Sequence, residues 1–311
     1  MDIELRHLRY FIAVAEEGSF TAGARRVHVA QQVLSTQIRQ LETALGVMLL
    51  DRTGRGIRLS PAGEAFLDAS RVALQAFGNA VASARNAADA LDGRLRVGLH
   101  VAASGDLPSQ ILARFAQRHP GLALPLRTFD LDQPAAGLLD GSSDVAFIRA
   151  PVTADGIASV VVSSEERVFV LPARHPLASR PALTLDDVAG QAWIAAAPAR
   201  DGSPPAAWRD DWLVVPRPGG EQPVVGAVAA TLDEWREHVA AGRGISLCPA
   251  ASERYYARPG IAFVPARQVP LTRTHLAWRA GDQRAVIAAL ATFAADGGAG
   301  PTRAAGQRPA T

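Results

Sequence analysis

The chain has 311 residues, 48% hydrophobic and 20% charged, which suits two or three folded units and excludes a disordered chain. No apolar run reaches the ~18 residues of a membrane span, and the charged opening from Met1 to Arg6 lacks the apolar stretch of a signal peptide. Every basic residue is an arginine, and the net charge of +2 sits at the start: residues 1–60 hold 8 arginines against 6 acids, and residues 61–311 hold 24 against 24.

Residues 5–17 place Leu5, Leu8, Phe11, Ile12 and Ala15 on one helical face. Gly18 supplies the stop, and Ser19 caps a short helix expected over 21–27. After a tight connection through His28, Val29 and Ala30, a third helix is predicted over 31–45, with Leu34, Ile38, Leu41 and Leu45 as its buried stripe. Residues 48–59 read as two short strands around Thr53-Gly54-Arg55-Gly56, a wing. Ser60 and Pro61 open a long helix reaching about Ala90. Its residues Leu67, Ser70, Leu74, Phe77, Val81, Ala84 and Ala88 form a heptad seam, for a second helix or for its own domain.

From Leu95 onward, strands and helices alternate, the pattern of an α/β domain whose ligand sites lie at the carboxyl ends of parallel strands. Strands are expected at 95–99, 122–128, 144–149, 167–172, 192–196, 224–228, 245–248, 261–264 and 274–279. Helices are expected near 106–118, 134–140, 184–189, 231–241, 250–257 and 282–295. The tail 297–311 has no apolar periodicity and is expected to be disordered.

On the helix over 31–45, Gln32, Ser35, Thr36, Arg39 and Thr43 project away from the leucine stripe, and their side chains suit base edges and phosphates. A short helix, a tight turn and this helix make helix-turn-helix order, and the wing adds Arg52, Arg55 and Arg58. Residues 20–60 carry 6 arginines against 2 acids, a local basic surplus suited to a polyanion. The same residues also describe a plain polar helix face and a solvated hairpin.

The chain resembles the LysR-type transcriptional regulators. The resemblance begins at Leu5-Arg6-His7-Leu8-Arg9-Tyr10-Phe11 and continues through Glu17-Gly18-Ser19-Phe20-Thr21, Ala30-Gln31, Leu34-Ser35, Asp51-Arg52-Thr53-Gly54-Arg55-Gly56 and Leu59-Ser60-Pro61-Ala62-Gly63. Later blocks are similar too, among them Asp144-Val145-Ala146-Phe147, Leu171-Pro172-Ala173-Arg174-His175-Pro176-Leu177 and Ala240-Ala241-Gly242-Arg243-Gly244. Within the family, regulators of aromatic-compound catabolism look nearest. The resemblance implies an α/β protein with an N-terminal winged helix-turn-helix over 1–60 and a long dimerising linker helix and hinge over 61–93. A periplasmic-binding-protein-like effector domain follows over 94–296, made of two α/β subdomains, 94–165 with 267–296 and 166–266. DNA-contact positions of the family match at Gln31, Ser35, Arg52 and Arg55. Gln32 and Thr36 stand where the family usually has Pro and Arg, so base preference is expected to differ while docking persists.

The implied partners are double-stranded DNA with an interrupted palindrome, a small-molecule effector between the subdomains, and further copies of the chain as a dimer through the linker helix and a tetramer. RNA polymerase is a further candidate partner. Effector contacts are expected from His100, Ser104, Thr128, Asp130, Arg149 and residues near Thr231. Arg149 has two readings, an anion clamp or an ion pair with Asp130 or Glu165. Thr231 opens a Thr-x-x-Glu capping box with Glu234, or its neighbouring amides face the cleft. A single cysteine, Cys248, in an apolar strand reads as a small buried hydrophobe and excludes a disulfide or a cysteine cluster. The seven histidines never fall three to five apart. A cytoplasmic protein without metal or cofactor is expected. No G-x-S-x-G, phosphate loop or G-x-G-x-x-G after a strand points to an enzyme, which remains, with a solute-binding module, the alternative reading.

Overall fold

The computed structural model describes residues 3–51, 57–103, 105–149, 156–201, 205–217 and 220–298. Arg52, Arg55, Ser104 and most of the 297–311 tail therefore lie outside the described residues. The chain divides into two units, Met1–Ala84 and Arg85–Thr311.

The first unit runs through α1 (Leu5–Glu17), α2 (Phe20–Arg26), α3 (Gln31–Leu45), the antiparallel pair β1 (Leu50–Asp51) and β2 (Arg58–Leu59), and α4 (Pro61–Asp92), which continues past the division. Local chemistry sets the boundaries. Gly18 takes the left-handed conformation at φ 57° that ends α1, and the Ser19 hydroxyl accepts the Ala22 amide at 3.3 Å to start α2. The Ser60 hydroxyl accepts the Gly63 amide at 3.0 Å and starts α4. Phe11, Leu34, Ile38, Leu41, Leu49 and Leu50 fill the core. Glu42, buried beneath them, accepts the amides of Leu49 at 2.9 Å and Leu50 at 3.1 Å and so ties α3 to β1. Glu16 joins three helices by ion pairs to Arg26 and Arg71, each at 2.7 Å.

The heptad seam of α4 divides its loyalties. Leu67 and Leu74 pack into this core and Ser70 is buried, while Phe77 stays 43% exposed; Val72, off the seam, is 62% exposed. The first turns of α4 lie against α1, with Phe66 edge-on to Phe11 at 5.2 Å, and that contact takes the N-terminal seam residues.

In the second unit a five-stranded sheet has the order β4 (Leu126–Phe129), β3 (Val97–His100), β5 (Val145–Ile148), β12 (Thr272–Arg279), β6 (Ile157–Glu165). β3 runs parallel to β4 and β5, and β12 runs antiparallel to β5 and β6. Helices α5 (Asp106–Arg118) and α9 (Ala285–Gly298) cover it, around Phe115, Val145, Phe147, Leu276 and Leu290. A second lobe holds the antiparallel sheet β10 (Ser246–Pro249), β7 (Arg167–Pro172), β11 (Ile261–Pro265) and the parallel pair β8 (Ala192–Ala196) and β9 (Val224–Ala229). Helices α6 (Pro205–Leu213), α7 (Leu232–Ala240) and α8 (Ser252–Tyr256) pack there with Phe169, Trp193 and Trp235. β12 returns the chain to the first lobe.

Three local readings need correction. Residues 134–140 are a run of turns, not a helix: Ala136 and Gly137 take left-handed φ values of 47° and 82°. A Cβ on Gly137 would lie 2.6 Å from the Phe129 ring, so the tight chain reversal under β4 overrides the helical composition. The helix near 184–189 is one 3₁₀ turn, Asp186–Val188. β6 and α6 carry no predicted element over them. β6 is an edge strand in which Val160, Val161 and Val162 follow one another, so its sequence shows no apolar and polar alternation.

Candidate functional site

α3 separates its two faces sharply. Leu34, Ile38 and Leu41 are fully buried, while Gln31, Gln32, Thr36 and Arg39 are exposed and Ser35 is half-buried. Neighbours hold the polar face in order. The Arg39 guanidinium donates to the Ser35 hydroxyl at 3.3 Å, and the Thr36 hydroxyl donates to the Gln32 carbonyl at 2.9 Å. Buried His7 meets the Gln37 carboxamide at 3.0 Å from below. The outcome is a row of donors and acceptors on a rigid helix, preceded by α2 and a tight turn.

In the second unit a pocket, partly open to solvent, lies between the two lobes. Its walls are Trp208 and Trp212 of α6, Trp235 of α7, and Leu131, Leu232 and Leu247. Trp208 meets Trp212 edge-on at 5.3 Å, and Trp212 meets Trp235 edge-on at 6.4 Å. Two arginines reach this apolar space. Arg149 pairs with Glu165 at 2.8 Å and donates its Nε to the Ala102 carbonyl at 2.8 Å. Arg167 pairs with Asp211 at 2.7 Å and donates to the Asp211 carbonyl at 2.8 Å. Cys248 also lines the cavity, and burial pushes its thiol up to about 12, which keeps it a neutral thiol.

Both margins of the lobes are tied. On one side Asp130 accepts the Leu232 amide at 2.8 Å, the first of α7, and Asp201 accepts the Ala135 amide at 2.8 Å. On the other, the Tyr255 hydroxyl accepts the Asp106 amide at 3.1 Å and the Tyr256 hydroxyl donates to the Val101 carbonyl at 2.8 Å.

A family model described as a bacterial regulatory helix-turn-helix protein, lysR family, matches residues 5–64, and a LysR substrate binding domain model matches residues 88–299. This chain belongs to the LysR family. Among its LysR relatives, the Hca operon transcriptional activator HcaR of Escherichia coli is 31% identical over 92% of this chain and 95% of that protein. The HTH-type transcriptional regulator AlsR of Bacillus subtilis is 36% identical over 61% of this chain and 66% of its own length. A solved structure of full-length CbnR with its target DNA shares 26% identity over 95% of this chain and all of that one, with a TM-score of 0.53.

The LysR effector residues read from the sequence take different places. Arg149 lines the cavity and pairs with Glu165 rather than Asp130. His100 is buried behind Trp208, edge-on at 4.9 Å, and burial with the nearby Arg149 charge lowers it to about 3, so it is neutral. Asp130 accepts backbone amides from Leu131 and Leu232. Thr231 caps α7, its hydroxyl accepting the Glu234 amide at 3.1 Å while the Glu234 carboxylate accepts the Thr231 amide at 3.3 Å. Thr128 is exposed on edge strand β4. The sequence reading missed Trp208, Trp212, Trp235 and Arg167. The tryptophans at 208 and 212, one helical turn apart, were the available signal.

Proposed function

We propose that this LysR-family chain reads DNA with the polar face of α3 and answers to a small molecule held between the lobes of its second unit. The observation that carries this is the split character of α3, a fully buried stripe under an exposed row of Gln31, Gln32, Thr36 and Arg39, with Ser35 beside them. Arg52 and Arg55 of the wing segment complete the set of DNA-contacting residues. Transcriptional control, with no catalysis, is its whole activity, carried out in the cytoplasm. CbnR, similar along its full length, is seen with its target DNA, which supports the same use of this chain. The division of labour follows the sequence: 1–60 for DNA, 61–93 for pairing, and 94–165 with 267–296 against 166–266 around the effector. Paired copies joined through α4 present two reading heads to an interrupted palindrome, and pairs of pairs make a tetramer.

Fluorescence anisotropy with the DNA upstream of its own gene tests the reading. Specific binding should weaken steeply with salt, because arginines displace phosphate counterions. Arg39→Ala should cost about 1–3 kcal/mol of specific affinity and much less on unrelated DNA. Equal losses on both DNAs would remove α3 from base recognition, and no specific binding by the native chain would end the proposal.

A further inference from the structure

We propose that the inter-lobe cavity selects an electrically neutral aromatic molecule bearing an oxygen acceptor, such as an aryl ketone, ester or amide, over an aromatic carboxylate. The inference rests on the regulator reading above and names the chemical class its effector site takes.

Three observations converge. Part of the wall is aromatic, with Trp212 edge-on to both Trp208 and Trp235, which suits an aromatic ring. Charge at the cavity is already balanced. Arg149 holds Glu165 and Arg167 holds Asp211, both at hydrogen-bond distance, and neutral His100 adds no positive charge. A carboxylate entering here has to displace one of these partners or stay unpaired in an apolar space, and either is costly. Two donors at the cavity also lack partners. Trp208 Nε1 and Arg167 Nε are buried N–H donors on lining residues, and neither meets an acceptor among the described residues. Buried donors without acceptors are uncommon, and a ligand oxygen relieves the deficit without bringing in a net charge.

Quenching of tryptophan fluorescence in the full chain decides this with three matched probes at neutral pH: 2-acetylnaphthalene, 2-naphthoate and naphthalene. The ketone should quench saturably and bind at least about tenfold more tightly than the carboxylate, equivalent to about 1.4 kcal/mol. It should also bind more tightly than the parent hydrocarbon. Trp208→Phe keeps a ring but removes Nε1–H, so it should weaken the ketone about three- to tenfold more than it weakens naphthalene. Carboxylate binding as tight as the ketone's overturns the proposal, as does an equal effect of Trp208→Phe on ketone and hydrocarbon, or no saturable binding of any probe. Should Trp208→Phe fail to fold, the three-probe order on the native chain decides alone. DNA binding is measured on the same samples. If it is intact while the probe order fails, only this inference falls; if it is absent, the regulator reading falls.

Discussion

Asp144 shows how much a single residue holds together in the first lobe of the second unit. Its side chain is fully buried, with Arg96 at 2.7 Å, Arg284 at 3.1 Å and Arg279 at 3.5 Å. Burial alone would raise its pKa, but the hydrogen bonds from Arg96 and the Arg284 charge outweigh that and hold the carboxyl below its usual value. Asp144→Asn leaves the guanidiniums around a neutral amide, and urea denaturation should show a loss of about 3 kcal/mol. Because the folded value is depressed, this stabilisation is complete above the unfolded value of 3.8 and fades as pH falls below it. The variant should therefore lose less stability than the native chain over that acid range. His100 acts in a higher window. Its folded value of about 3 lies below the unfolded 6.5, so the unfolded chain binds the extra proton, and stability falls as pH drops from 6.5 toward 3. The slope should approach ~1.4 kcal/mol per pH unit, shared in direction by buried His275, and His100→Gln should remove the His100 part. A native chain with flat stability between pH 6 and 4 would contradict this.

Among the elements, the start of α4 shows sterics overriding propensity. Gly63 lies in its first turn, and a Cβ there would sit 2.0 Å from the Leu49 carbonyl oxygen. In an exposed helix, Gly→Ala gains about 1 kcal/mol. Here α4 passes directly over the chain entering β1, so the clash dominates. Gly63→Ala should lower the melting temperature of the first unit, with a net cost of about 1–3 kcal/mol. A more stable variant would contradict the close approach of α4 to the Leu49 carbonyl. The glycine's role was not legible from Ser60-Pro61-Ala62-Gly63, which marks a helix start but says nothing of the neighbour above it.

At the scale of the whole molecule, α4 exposes apolar side chains among its described residues. Its 32 residues span roughly 48 Å at ~1.5 Å per residue. Leu67 and Leu74 are taken by the core of their own unit, while Val72 and Phe77 remain exposed. Phe77→Arg puts a charge on that open surface without touching the buried core. Sedimentation should then report a smaller species than the native chain, with the helical circular dichroism unchanged. A native chain that sediments as a monomer, or a variant of unaltered mass, would remove α4 as the pairing element.

Sequence alone determined the helices of the first unit, the wing strands, the long α4 and the α/β character of the rest. Those features rest on signals that act within three or four residues, such as the Leu34, Ile38 and Leu41 stripe, the Gly18 stop and the Ser19 and Ser60 caps. The family blocks rested on the same contiguous stretches. Tertiary structure alone decided which partner Arg149 takes, that Asp130 reaches the start of α7, and that Leu74 turns inward while Phe77 does not. It also decided the cavity, whose walls come from positions as far apart as Ala102 and Thr272. The physical reason is distance along the chain: periodicity and caps record what a residue's near neighbours require, whereas a cleft is made by strands that leave one lobe and return, and no local pattern encodes what meets across it.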